Sequence, residues 1–259
     1  MWKRAGALTL VGMTLIGISV AHSAVVQEGD LRITVQGQIK PFKLPRTGTA
    51  PIAVFVAGHI GARSGATPPQ LQTMSVEVNR HGLLRSAGLP TCRRGQIETA
   101  STQRSLRECG DALVGSGRFW ANVVFPDQKP FPTRGRLLIF NGRDRGRPAI
   151  FAHIYTRIPF ATSFLVIFRI KRIHRGPYGT ELTASLPATL GSWGFVDRIK
   201  LTLRRKYRRG GKQLSYFNAG CPALPGTQAT VFPLARASFG FAGRQPIALT
   251  IQKACRVSE

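Results

Sequence analysis

Leu71-Gln72-Thr73-Met74-Ser75-Val76-Glu77-Val78-Asn79-Arg80 carries the period that decides the fold. Leu71, Thr73, Ser75, Glu77 and Asn79 alternate with Gln72, Met74, Val76 and Val78, as side chains do on a strand, where successive residues point to opposite faces. Met74, Val76 and Val78 then share one face, and Glu77 is expected in solvent. The alternation recurs at residues 31–39, 50–60, 117–125, 136–140, 149–155, 163–173, 179–186, 195–207, 213–217, 230–241 and 247–255, with Gly, Pro, Asn and Asp between the runs. Strands this numerous, joined by turns and not by long helical stretches, predict an all-β chain whose antiparallel sheets pack as a β-sandwich, in one large or two small units. Closure into a barrel is the alternative. One short helix is predicted over 101–109, opened by Ser101 and Thr102 and stopped by a left-handed Gly110. The Pro-, Gly- and Arg-rich segment 129–147 permits an internal boundary, and with 43% hydrophobic residues the chain has enough apolar material for either arrangement.

The N-terminus reads as an address. Lys3 and Arg4 precede an apolar run over residues 5–20 that ends in Ala21-His22-Ser23, the pattern of a secretory signal peptide spanning 1–23. Small residues at Ala21 and Ser23 place cleavage before Ala24, leaving 24–259 secreted or in the cell envelope. An uncut N-terminal membrane anchor is the alternative, although the run holds Thr9, Thr14 and Ser19 and falls short of the roughly 20 apolar residues that span a bilayer. Export predicts disulfide bonds among Cys92, Cys109, Cys221 and Cys255. Three pairings exist. Cys92 with Cys109 and Cys221 with Cys255 is favoured because each bond closes a short local loop. The rival reading, a structural metal site, lacks a C-x-x-C, and His59, His81, His153 and His174 are scattered along the chain.

Catalytic signatures are weak. Gly115-Ser116-Gly117 and Gly191-Ser192-Trp193-Gly194 come nearest to a nucleophile elbow, and neither has its spacing. Glycoside hydrolysis needs two facing carboxyl groups, whereas Glu77 and Glu181 read as outward strand residues and Asp144 lies between Arg143 and Arg145. Neither a phosphate-gripping loop nor a dinucleotide fingerprint occurs, so no cofactor is expected. Leu44-Pro45-Arg46-Thr47-Gly48 matches the sorting pattern that sortases cleave, but a sorting signal needs an apolar segment and basic tail behind it at the C-terminus. Here it reads as a turn.

Charge is the second strong signal, with 37 Lys and Arg against 11 Asp and Glu. Between Asp197 and Glu259 no acid occurs. In 195–207, Ile199, Leu201 and Leu203 fall on one face and Arg198, Lys200, Thr202 and Arg204 on the other. The run continues into Arg205-Lys206-Tyr207-Arg208-Arg209-Gly210-Gly211-Lys212, whose glycines suit a hairpin turn with cations crowded at its tip. Arg198, Lys200, Arg204, Arg205, Lys206, Arg208, Arg209 and Lys212 are therefore the candidate polyanion-binding residues, for an anionic cell-wall polymer or a membrane surface. Nucleic acid is disfavoured by export and by the lack of a binding motif. The competing explanation is compositional: Arg outnumbers Lys 28 to 9, as GC-rich codons alone would give.

Gly88-Leu89-Pro90-Thr91-Cys92, Ala152-His153-Ile154-Tyr155, Ala219-Gly220-Cys221-Pro222 and Ala235-Arg236-Ala237-Ser238-Phe239 together resemble segments of a group of uncharacterised secreted proteins of GC-rich actinobacterial type. The resemblance implies export and a β-rich fold, and transfers no catalytic or ligand residue. The expectation is a non-enzymatic, disulfide-stapled protein of the cell envelope or exterior with a structural or adhesive role. A binding module for anionic wall or membrane polymers, acting through the basic hairpin at 198–212, is the alternative.

Overall fold

The structure is a computed structural model that describes residues 23–125, 127–186 and 194–258. The segment before Ser23, which the sequence reads as a signal peptide, and the Gly191-Ser192-Trp193 stretch lie outside the described residues.

The chain forms β1 (Ser23–Glu28), β2 (Leu31–Lys40), β3 (Lys43–Pro45), β4 (Ala50–Pro51), β5 (Ala53–Ala62), β6 (Leu71–Asn79) and β7 (Gly82–Leu84). Helices α1 (Arg94–Ile97) and α2 (Thr102–Cys109) and a 3-10 turn (Gly110–Ala112) follow. Then come β8 (Leu113–Val123), β9 (Phe131–Asp144), β10 (Arg147–Thr156), β11 (Thr162–Arg175), β12 (Tyr178–Ser185) and β13 (Gly194–Leu203). The last are β14 (Lys206–Arg209), β15 (Lys212–Ser215), β16 (Phe217–Ala219), β17 (Ala229–Phe241) and β18 (Ile247–Ser258). The protein is thus mostly β, and its helices lie inside the loop closed by Cys92 and Cys109.

Hydrogen bonding links thirteen strands in one sheet, in the order β1-β2-β5-β13-β8-β9-β10-β11-β12-β6-β17-β18-β3. Neighbours run antiparallel except β18 and β3. Twist accumulates across so many strands and makes a wide sheet curl. Curling brings the two ends face to face: Leu31, Ile33 and Val35 of β2 share a buried cluster with Phe239 of β17 and Leu249 and Ile251 of β18. A second cluster fills the middle of the curl with Phe119, Leu137, Ile139, Ile150 and Ile154. The burial expected between packed sheets therefore comes from the two arms of a single one. Segment 129–147, where the sequence permits a boundary, is β9 and its turn, hydrogen-bonded to β8 and β10 within that sheet.

Close approach between strands requires glycine at two inward positions. A Cβ on Gly117 would lie 2.0 Å from the Lys200 carbonyl oxygen, and one on Gly135 would lie 2.4 Å from that of Tyr155. Either side chain would force β8 or β9 away from its neighbour.

On the outer face, Leu138, Phe140, Phe151, Leu165 and Ile167 are covered by the helical loop through Ile97, Leu106, Cys92 and Cys109. Polar ties fix the loop: Asn141 Nδ2 donates to Pro90 O at 2.9 Å and Ser163 Oγ to Glu98 O at 2.6 Å. Ser101 caps α2 by accepting from the Arg104 amide. Gly110 is right-handed (φ −55°), because the chain tightens into the 3-10 turn instead of stopping there.

The second disulfide joins Cys221 to Cys255, both fully buried, and so ties β18 to the segment after β16. Both bonds follow the pairing that the short-loop argument favours. Leu44-Pro45-Arg46-Thr47-Gly48 is built into the same region. Leu44 is fully buried, Pro45 O accepts from the Cys221 amide at 2.8 Å, and the Arg46 guanidinium donates to the carbonyls of Ala223, Leu224 and Thr227.

Candidate functional site

The eight basic residues singled out by the sequence fall into two places. Arg198 and Lys200 sit on β13, in the interior of the large sheet, and both are exposed on its outer face. The others belong to the separate hairpin β14–β15 and the two residues leading into it. Gly210 and Gly211 make the turn with φ of 55° and 73°, the left-handed pair that a two-residue hairpin needs. The hairpin is pinned down: Tyr207 Oη lies 3.1 Å from the carbonyl oxygens of both Arg85 and Ala87, and the Arg209 side chain packs over Gly88. Arg205 is turned inward, donating from Nη2 to Asp111 O at 3.0 Å. Arg204, Lys206, Arg208, Arg209 and Lys212 are exposed.

On β13 the fold brings together residues far apart in sequence. Lys200 stands directly opposite Arg118 on β8, and Arg118 directly opposite Arg136 on β9. Tyr155 on β10 extends this row beyond Arg136, and Ala57 and Gln36 extend it the other way. Two residues along, a second row reads His59, Arg198, Trp120, Arg134. A third reads Gln38, Phe55, Thr202, Ser116. Paired residues of neighbouring strands share a face, so five cations, Trp120 and Phe55 lie together on the outside. Asp197, next to Arg198 in sequence, is engaged by His59 Nε2 at 3.2 Å. None of Arg118, Arg134, Arg136, Arg198 and Lys200 forms an ion pair among the described residues.

The same sheet treats charge differently a few strands away. Lys171 (β11), Glu181 (β12), Glu77 (β6) and Arg236 (β17) form one continuous cross-strand row, and Arg175 reaches over it to pair with Glu77. Each carboxylate there has a cation beside it. Glu77, expected in solvent, is only 5% exposed, because the Arg175 side chain covers it. In that row two cations and Arg175 offset the opposed Glu181 and Glu77; the row across β13, β8 and β9 holds no carboxylate. Like charges directly opposite are destabilising, so the cationic row costs the fold free energy.

A groove of about 550 Å³ runs along this basic face, lined by Gln36, Gln38, Phe55, Arg118, Trp120 and Lys200. Lys40 Nζ lies 5.7 Å from the centre of the Phe55 ring at one end. The groove joins cations, side-chain amides and aromatic rings in one place.

No known protein family, curated protein or solved structure matches the chain.

Two other groupings serve the fold. His153 is wholly buried on β10, with Nε2 2.8 Å from Ala100 O and 3.3 Å from Ser105 Oγ. Burial lowers its pKa below the ordinary imidazole value, only partly offset by the Ala100 hydrogen bond. Sealed beneath the helical loop, this Ser–His pair has no room for a substrate, and its geometry pins the loop to the sheet. A second groove, of about 410 Å³, separates that loop from β11, and its charges are already paired as Arg94 with Glu98 and Arg169 with Asp144. Ser116 lies within β8 on the basic face, not on a strand-to-helix turn. Among the described residues no group of three or more His, Cys, Asp or Glu is placed to hold a metal ion.

Strand periodicity alone does not single out Arg118, Arg134, Arg136, Trp120 and Phe55. A local signal is present: Arg118 and Trp120, and likewise Arg134 and Arg136, are two apart on strands and so share a face. Which strands adjoin is decided only by the fold.

Proposed function

We propose that this is an exported, non-enzymatic protein that holds anionic polymers of the cell wall or membrane surface, in a structural or adhesive role. The unneutralised row Lys200–Arg118–Arg136 carries the reading. A protein that tolerates opposed cations in the interior of its main sheet gains stability when an anion settles there, and this coupling of folding to binding is what a polyanion supplies. The two disulfides support an oxidising, extracellular setting. Cleavage before Ala24 would remove the signal segment and leave β1 nearly whole. The cations, amides and rings lining the groove suit binding and orienting a ligand.

Retention on heparin and phosphopolymer columns tests the proposal. A triple Ser variant at Arg118, Arg136 and Lys200 should elute at lower salt, and its log-affinity slope against log salt should shrink by about one for each binding cation removed. A hairpin variant with Ser at Arg204, Arg205, Arg208 and Arg209 should change retention less. Unchanged elution of both variants would leave codon bias as the explanation of the charge.

A further inference from the structure

We infer that the ligand of the basic face is an anionic polysaccharide, with a sugar ring stacked on Trp120 and acidic groups of successive units met by Lys200, Arg118 and Arg136. The inference rests on the proposed polymer-binding function and assigns its ligand class.

Spacing supports it first. Adjacent strands lie about 4.8 Å apart, so the Lys200–Arg118–Arg136 row offers a cation at each of three steps across roughly 10 Å. A linear chain crossing the strands meets one positive charge per strand. The parallel row, displaced by two residues or about 7 Å, places Trp120 between Arg198 and Arg134. A partly exposed indole flanked by cations is a platform for the apolar C–H face of a pyranose ring that carries acid groups at its edge.

The groove chemistry supports it second. Gln36, Gln38, Ser116 and Thr202 supply directional donors and acceptors beside Lys200 and Arg118. Hydroxyl groups on a pyranose use such partners. A bare polyphosphate has no use for the amides or the rings, and a phosphatidylglycerol surface has no ring to lay on an indole. Single-stranded nucleic acid needs a track of stacking platforms. Trp120 and Phe55 lie in different rows, on strands separated by β13, and do not form such a track.

The test compares four probes by titration at several salt concentrations: polygalacturonate, polyphosphate, oligothymidylate and phosphatidylglycerol vesicles. For the wild type, polygalacturonate should bind tightest per charge. Trp120→Ala should weaken polygalacturonate about tenfold without changing its salt slope, as loss of a stacking ring does, and leave polyphosphate binding unaltered. Trp120→Phe keeps a ring and should recover most of the affinity, which separates stacking from misfolding. Arg118→Ser should instead reduce the slope by about one. Equal weakening of polygalacturonate and polyphosphate by Trp120→Ala, no effect of that change, or tighter binding of any of the other three probes overturns the polysaccharide assignment while leaving polyanion binding in place. Failure of all four probes to bind overturns both.

Discussion

Arg118 on β8 stands directly opposite Lys200 on β13, two cations facing each other in the middle of a thirteen-stranded sheet. Facing cations repel, and salt screens that repulsion over about 8–10 Å at ordinary ionic strength. Replacing Arg118 with Thr, a good strand residue, should therefore raise Tm by about 1–3 °C at low salt, with the gain shrinking as salt increases. The same variant should bind polyanions less well. A Tm that falls at low salt would show that Arg118 stabilises the sheet by packing.

His153 gives the fold a pH dependence whose sign follows from its burial. The unfolded imidazole takes up its proton near pH 6.5, whereas burial holds the folded value lower. Between those two values the unfolded state binds the extra proton, so stability is complete above about pH 6.5 and declines as pH falls through that value. Tm should accordingly drop between about pH 7 and pH 5, and His153→Phe should flatten that drop while lowering Tm at neutral pH through loss of the Ala100 hydrogen bond. An NMR titration placing the His153 midpoint at or above about 6.5 would contradict the account.

The disulfides should contribute unequally. Cys221–Cys255 spans 34 residues and Cys92–Cys109 spans 17, which in the loop-entropy model gives about 4 and about 3 kcal/mol. The longer one also anchors β18, which contributes Ile247, Leu249 and Ile251 to the core between the sheet's ends. Cys255→Ser should lower Tm more than Cys92→Ser, and without reduction, peptide mapping should recover both linked pairs. The opposite ranking would mean that the helical loop, not the last strand, limits stability.

Much of the architecture was legible because a strand's period is local. At residues 31–39 the alternation of Ile33 and Val35 with Thr34 and Gln36 already separates the buried face from the exposed one, and β2 buries them that way. Ser101 as a helix cap was equally local. What could not be read was pairing between strands distant in sequence. Lys200 and Arg118 are 82 positions apart, and nothing in either neighbourhood names the other. Glu77 fails for the same reason: its outward parity was right, but the Arg175 side chain that buries it comes from β11, nearly a hundred residues on. The short strands β3 and β7 gave no period at all, being three residues each.

Glu77 and Arg175 supply the contrast to the basic row. Glu181 stands opposite Glu77 on the neighbouring strand, with Arg175 Nη1 4.0 Å from its carboxylate, so one guanidinium faces two carboxylates. Removing that guanidinium leaves Glu77 buried beside a like charge, and the penalty belongs mainly to the abandoned carboxylate. Breaking a fully buried pair costs about 3–5 kcal/mol, but the Arg175 side chain is 65% exposed and water can partly replace it. Arg175→Ala should therefore cost roughly 1–2 kcal/mol in denaturant unfolding. Adding Glu77→Gln should recover part of the loss, because a neutral amide asks less of its surroundings than an unpaired carboxylate. If the double variant is less stable than Arg175→Ala alone, the pair does not act through charge, and complementary pairing would no longer distinguish β12 and β6 from the cationic strands β13, β8 and β9.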